Sequence, residues 1–207
     1  NADLTLEYVN NSPDTLHEIY IHLWPNAYKD NETAYAKQQL ELRRSRFYFA
    51  EKPARGYIDS LNFKVNGESV KWEFDAKHID ICKISLKEAL PPGMRINICT
   101  PFRVKLPNSF SRLGHWGQQY QITQWYPKPA VYDKNGWHPM PYLDMGEFYS
   151  EFGSFEVNIT LPKNYIVAAT GNLQTLNEHV FLEDLSEKTK QNRSEERRVG
   201  KECRSRW

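Results

Sequence analysis

The residue types of a zinc-dependent hydrolase meet once in this chain, at His17-Glu18-Ile19-Tyr20-Ile21-His22. A helical His-Glu-x-x-His works because histidines four apart share one face and one metal, leaving the glutamate to act as general base. Here three residues, not two, separate Glu18 from His22. Five residues apart on a helix, two imidazoles diverge by about 140°. In a strand, an odd separation sends them to opposite faces. The segment alternates, with His17, Ile19, Ile21 and Leu23 set against Glu18, Tyr20, His22 and Trp24, the period of a half-buried strand. Both histidines are therefore expected as strand-surface or packing residues. No metal ligand and no catalytic residue is assigned anywhere in the chain.

Other constellations are weaker. His115, His138 and His179 are scattered among loop and strand signals, with Asp133, Asp144 and Glu147 near His138 in sequence. That is the composition of a metal site and equally of an ordinary polar loop. There is no Gly-x-Ser-x-Gly elbow, and no cysteine with histidine and asparagine partners for nucleophilic catalysis. Gly114-His115-Trp116-Gly117 lacks the Gly-Lys-Ser/Thr ending of a phosphate loop. Trp116, Tyr120, Trp125, Tyr126, Trp137 and Tyr142 are read first as a core layer under a loop, and second as rings that stack on sugars or line a peptide pocket.

The elements around these residues are mostly strands. Leu4, Leu6 and Tyr8 share a face before the turn Asn10-Asn11-Ser12-Pro13-Asp14, and Pro25-Asn26 ends the second strand. Residues 33–42 read as the one short helix, capped by Thr33 or Asn31, with Ala34, Ala36, Lys37 and Leu40 as helix formers. Residues 57–65 and 70–74 are expected to pair around Asn66-Gly67. Residues 78–86 and 94–100 are expected to pair around Pro91-Pro92-Gly93, with 102–106 extending the second strand beyond Pro101. Further strands are expected where Phe155, Val157, Ile159 and Leu161 alternate with polar residues, and at 165–170; residues 183–192 read as a surface helix or loop. Short strands at regular spacing predict an antiparallel all-β domain. Cys82 and Cys99 sit about equally far from the Pro91-Pro92-Gly93 turn. A cross-strand disulfide needs tight geometry, and two free buried thiols are the favoured reading.

The densest information lies in Gln-Trp-Tyr-Pro-Lys-Pro-Ala-Val-Tyr-Asp (124–133). Pro127 and Pro129 fix φ and remove backbone donors, predicting an extended, non-ladder loop that lines or braces something. With Trp137-His138-Pro139-Met140-Pro141-Tyr142 and Gly146-Glu147-Phe148-Tyr149-Ser150-Glu151-Phe152-Gly153 beside it, residues 1–192 resemble the N-terminal domain of the aminopeptidase N family of zinc metallopeptidases, in the branch that reads Trp-Tyr-Pro-Lys-Pro-Ala-Val-Tyr-Asp here. The resemblance implies a saddle-like, multi-sheet antiparallel β-domain with one short helix. It also implies that the domain is incomplete at its C-terminal end, with one sheet edge lacking its partner. The implied parent hydrolyses the first peptide bond of peptides with zinc held by a separate catalytic domain. That zinc would polarise the scissile carbonyl and activate water. No cofactor is implied in this chain, and its implied partners are a peptide substrate and the catalytic domain, in the periplasm or outside the cell. In the family a Thr-Gln-x-Gln/Glu segment reaches the substrate's first residue. Thr123-Gln124-Trp125-Tyr126 matches it with Gln124 at the first Gln, and Tyr126 departs from the second position. Gln124 and Tyr126 are the implied substrate-binding residues.

Bulk composition sets the outer bounds. The chain has 207 residues, 40% hydrophobic and 14% aromatic, enough to build a core. A formal net charge of +1 gives no ground for nucleic-acid or anionic-membrane binding, and no run approaches the roughly 18 apolar residues of a membrane span. Residues 193–207 break this composition with six basic and three acidic residues, leaving 21 and 23 in 1–192, a net of −2. Codon by codon the segment resembles a translated sequencing adapter, and it is set aside with Cys203. Two other function classes stay open. One is a stand-alone β-sandwich module binding carbohydrate through exposed aromatics; the other is an adhesion scaffold without ligand chemistry.

Overall fold

The computed structural model describes the backbone of residues 1–204 and the side chains of residues 1–192. The adapter-like segment 193–207 thus lies outside the described side chains. The chain forms two units, Asn1–Ser154 and Phe155–Trp207.

The first unit is an antiparallel, multi-sheet β fold with one short helix. Its elements, in chain order, are β1 (Ala2–Val9), β2 (Leu16–His22), α1 (Ala34–Glu41), β3 (Tyr57–Asp59), β4 (Lys64–Val65), β5 (Glu68–Ser69) and β6 (Trp72–Phe74). There follow β7 (Ile81–Leu90), β8 (Arg95–Lys105), β9 (Gly114–Trp116), β10 (Gln119–Gln121), β11 (Lys128–Pro129), β12 (Val131–Asp133) and β13 (Gly136–His138). One sheet runs β1-β8-β4-β5, with β3 also on β8; another runs β11-β2-β7-β6. Ile19, Ile21 and Ile84 of the second sheet and Ile96, Ile98 and Phe102 of the first belong to one buried cluster. Each such side chain contributes about 2 kcal/mol by leaving water. Alternation in β1 is as expected, with Ala2, Leu4, Leu6 and Tyr8 partly buried and Asp3, Thr5 and Glu7 exposed. In β2 a bulge between Leu16 and Glu18 breaks the alternation, so His17 is exposed while Ile19 and Ile21 are buried.

Helix α1 begins where the sequence places it. The Thr33 hydroxyl accepts the Ala36 N–H at 3.2 Å and donates to the Ala27 carbonyl at 2.8 Å, serving as cap and as tether at once. Asn31 does not cap; its side-chain oxygen accepts from Arg55 at 2.8 Å. Thr33→Ala should lower stability in urea by about 1–2 kcal/mol, and an unchanged midpoint would show the cap to be dispensable.

Several strand expectations are corrected. Residues 57–65 divide into β3 and β4 because Ser60 adopts φ 61°, carrying the chain from the Arg103–Lys105 end of β8 to Ile98–Cys99. The Asn66-Gly67 turn forms, with both residues at positive φ, but its return strand serves β4 only through β5. The chain then crosses to the other sheet, where β6 pairs with β7. Strands β7 and β8 are not a hairpin. They lie in different sheets, and Pro91-Pro92-Gly93 is an arch between them. Buried Asn10 decides this: its N–H donates to the Met94 carbonyl at 2.9 Å, its carbonyl accepts from Gly93 at 2.7 Å, and its Nδ2 donates to Leu90 at 3.0 Å. The β1–β2 connection and the β7–β8 arch are thereby stapled side by side. Strand β8 does run through Pro101, at the place where its neighbour changes from β4 to β3.

Cys82 and Cys99 are consequently in different sheets and both are free thiols. Burial pushes the Cys82 thiol up to about 12, while Cys99 is only partly covered. In a Cys203→Ser chain, Cys99 should react with a disulfide reagent in the native state and Cys82 only after denaturation. Equal native rates would contradict this placement.

In the second unit, the strands expected at 155–161 and 165–170 do not form. Phe155, Val157, Ile159 and Leu161 are 49–69% exposed. Alternation alone does not make a strand, because its backbone groups need a neighbour, and among the described residues this unit contains no strand. Residues 183–192 fall within α2 (Leu176–Arg204), a second and longer helix.

Candidate functional site

The proline-rich segment is held on the edge of the second sheet. Contrary to the non-ladder path expected, Lys128 and Pro129 pair with His22 and Ile21, and Ala130 N–H donates to the Tyr20 carbonyl at 2.8 Å. Proline is tolerated because β11 is an edge strand. The rest of the segment turns back as the β12–β13 hairpin.

Buried polar groups fix the chain that follows. His22, fully buried, accepts the Met140 N–H on Nε2 at 3.0 Å. Its ring lies 4.5 Å from the Trp24 ring in a stacked arrangement. Burial, then the Lys128 charge, pushes its pKa down to about 3, so it is neutral with its proton on Nδ1. Trp24 Nε1–H donates to the Met140 carbonyl at 3.1 Å. Buried Asp80 accepts the Tyr142 N–H at 2.7 Å, and desolvation raises its carboxyl to about 6 against those bonds. Asn26 bridges the Ile79 carbonyl and the Ile58 N–H. Around these groups Trp24, Tyr28, Tyr35, Phe47, Leu113 and Tyr142 form a second core.

Gln124 and Tyr126, the implied substrate-binding pair, stand at the entrance to this segment. Gln124 is partly buried with φ 54°, a conformation that costs a residue bearing a Cβ about 1 kcal/mol or more. Tyr126 packs with Trp125 against the main core, their rings 5.8 Å apart, and burial raises its pKa. Trp137 also packs on that core and Tyr142 lies within the second, whereas Trp116 is 71% exposed and Tyr120 49%.

Of the scattered histidines and carboxylates, one pair meets. His138 Nε2 lies 2.7 Å from Asp133 Oδ1, and Tyr149 donates to the other Asp133 oxygen at 3.4 Å. The Asn135 N–H, then His138, holds the Asp133 carboxyl below its usual range. Asp144 is drawn elsewhere, to Arg44 and Ser111, and His115 stacks on Tyr120. Among the described residues no three of His, Cys, Asp and Glu converge in a way that could hold a metal. Lys128 is a site group that sequence reading missed. Its ammonium lies 5.2 Å over the Trp24 ring and bonds to the Ser150 hydroxyl, and burial lowers its pKa. Asp80 was missed too, since nothing local marks an aspartate five residues after Asp75 as buried. These polar groups orient backbone and one another. None forms a nucleophile–base–orienter set.

The chain matches no known family model, no curated protein and no solved structure. Among the described residues no helix is long and apolar enough to cross a membrane.

Proposed function

We propose that this chain is the amino-terminal, cleft-capping β-domain of a zinc-dependent aminopeptidase-type metallopeptidase, binding the free N-terminus of peptides beside a catalytic domain that carries the metal. The observation that supports this reading is the segment 124–133: an unusual, proline-locked sequence whose strained Gln124 is followed by a chain pinned by His22, Trp24 and Asp80. Rigid placement of a few polar groups on loops is what substrate positioning requires. Among the described residues, the His17–His22 cluster does not fit zinc. His17 is exposed within the β-bulge, and His22 is buried with Nε2 already engaged. Zinc and its chemistry therefore belong to the catalytic domain in this reading, and the part assigned to this chain is binding. The Gln124 carboxamide oxygen would accept from the substrate's ammonium, and the Tyr126 phenol would offer a second, uncharged acceptor.

The test is the continuous reading frame past Asn192. It is expected to encode His-Glu-x-x-His with a downstream glutamate; a frame without a zinc motif overturns the reading. In the expressed parent, Gln124→Ala should raise KM for aminoacyl-nitroanilides about tenfold with a smaller change in kcat, the loss of one charge-assisted hydrogen bond. The 207-residue chain alone should hydrolyse none of them, and chelator-sensitive turnover by it would assign the metal chemistry here instead.

A further inference from the structure

Residues 114–126, Gly-His-Trp-Gly-Gln-Gln-Tyr-Gln-Ile-Thr-Gln-Trp-Tyr, hold no Asp, Glu, Lys or Arg in thirteen positions, although 26% of the chain is charged. The same stretch carries four glutamines and four of the Trp and Tyr residues. Its first part is the β9–β10 hairpin, in which Trp116 pairs with Gln119, His115 with Tyr120 and Gly114 with Gln121. Directly opposed residues share a face, and so do residues two apart along a strand. Trp116, Gln119 and Gln121 therefore project from one face, and His115 and Tyr120 stack on the other at 5.5 Å. At the fourth position of the Trp116 face stands Gly114, which presents no side chain. A Cβ there would meet the backbone of Asn108 and Ser109 at 2.8 Å, so that end of the face is closed by the preceding loop and the exposed part is Trp116, Gln119 and Gln121.

Folding leaves this indole in water. Trp116 is 71% exposed, and no other tryptophan with a described side chain is exposed. Gln119 and Gln121 are also exposed. An indole offers a flat face to aliphatic C–H groups, and a carboxamide both donates and accepts a hydrogen bond. A ring with an apolar face and a rim of neutral hydroxyls matches both. The ring presents roughly 200 Å² at most, far below the ~800 Å² per partner of a stable protein interface. Its size suits one or two sugar rings.

We propose that the Trp116–Gln119–Gln121 face of the β9–β10 hairpin binds neutral oligosaccharide, one pyranose stacking on the Trp116 indole and its hydroxyls bonding to the two carboxamides. This goes beyond the peptidase reading and does not depend on it, since neither Gln124 nor Tyr126 takes part.

The experiment titrates the full 207-residue chain with cellohexaose, xylohexaose and mannohexaose by calorimetry. A dissociation constant of about 0.1–1 mM is expected for at least one of them. Trp116→Ala should weaken it at least about tenfold, Trp116→Phe by less, and Gln119→Ala about threefold. Far-ultraviolet circular dichroism checks that each variant stays folded. No heat with any of the three sugars at 10-fold higher concentration, or equal affinity in folded Trp116→Ala, overturns the proposal. So does binding of an uncharged peptide in place of sugar, or self-association that Trp116→Ala abolishes.

Discussion

Trp24→Ala is expected to cost about 3–5 kcal/mol, lowering the melting temperature of the first unit by roughly 10 °C. Trp24 is 2% exposed and joins several supports at once. It stacks on His22, packs at 4.7 Å against Phe148 and edge-on against Tyr142, and its Nε1–H satisfies the Met140 carbonyl. It also lies beneath the Lys128 ammonium. Removing the ring leaves a cavity where the sheet edge meets the loop, an unpaired carbonyl, and a lysine without its aromatic partner. Trp24→Phe separates these effects, because it keeps most of the packing and loses the donor. A cost of about 1–2 kcal/mol is expected for it. Lys128 should also become more reactive toward acylating reagents in Trp24→Ala, and mass spectrometry of limited acetylation reads this directly. An alanine variant within 1 kcal/mol of the parent would mean that the loop is held by its prolines alone.

The second large effect is a gain in stability on replacing Asp80 with asparagine that vanishes as pH falls. Asp80 is buried, and its carboxyl is raised from 3.8 to about 6. The folded state thus binds a proton more tightly than the unfolded state. The resulting stabilisation is full below about 3.8 and is lost as pH rises through about 6, a difference of about 3 kcal/mol. His22 works the other way. Its pKa falls from 6.5 to about 3, so its contribution is full above 6.5 and is lost as pH drops toward 3, about 5 kcal/mol in all. Between pH 6 and 4 the two effects oppose each other, and the parent should lose stability only gently. The charges around them are Lys128 beside His22, and His78 and Asp75 beside Asp80. Asp80→Asn keeps an oxygen for the Tyr142 N–H and removes the buried charge. It should therefore be more stable than the parent at pH 7, by up to about 3 kcal/mol, and equal to it near pH 3.5. On acidification its stability should fall more steeply, because only the His22 effect remains. Urea titrations of both chains from pH 7.5 to 3.5 measure this. Destabilisation of Asp80→Asn at pH 7 would show that the charged bond to Tyr142 outweighs desolvation.

Local patterns were read well where neighbouring residues determine the outcome. Ala2, Leu4, Leu6 and Tyr8 turn to one side because strand geometry requires it. Asn66-Gly67 makes its turn because both residues accept positive φ, and Thr33 caps α1 because its hydroxyl reaches an unpaired N–H. Of the candidate site, the proline-rich segment and the Asp133–His138 proximity were visible in the sequence. The anchoring role of His22 was not, because a histidine inside an alternating strand is equally compatible with either face.

What the chain alone determined is where β1, β2, the α1 cap and the Asn66-Gly67 turn fall, and that its one zinc-like cluster is mis-spaced. Only the assembled fold decided which strands are neighbours. Pro91-Pro92-Gly93 suits a hairpin as well as an arch, and a buried asparagine eighty residues upstream selects the arch. The same holds for residues 155–161, whose alternation lacks a neighbouring strand among the described residues of their unit. Side-chain period is a property of consecutive residues, whereas backbone pairing and the desolvation of Asp80, His22 and Lys128 arise only when distant segments close over them.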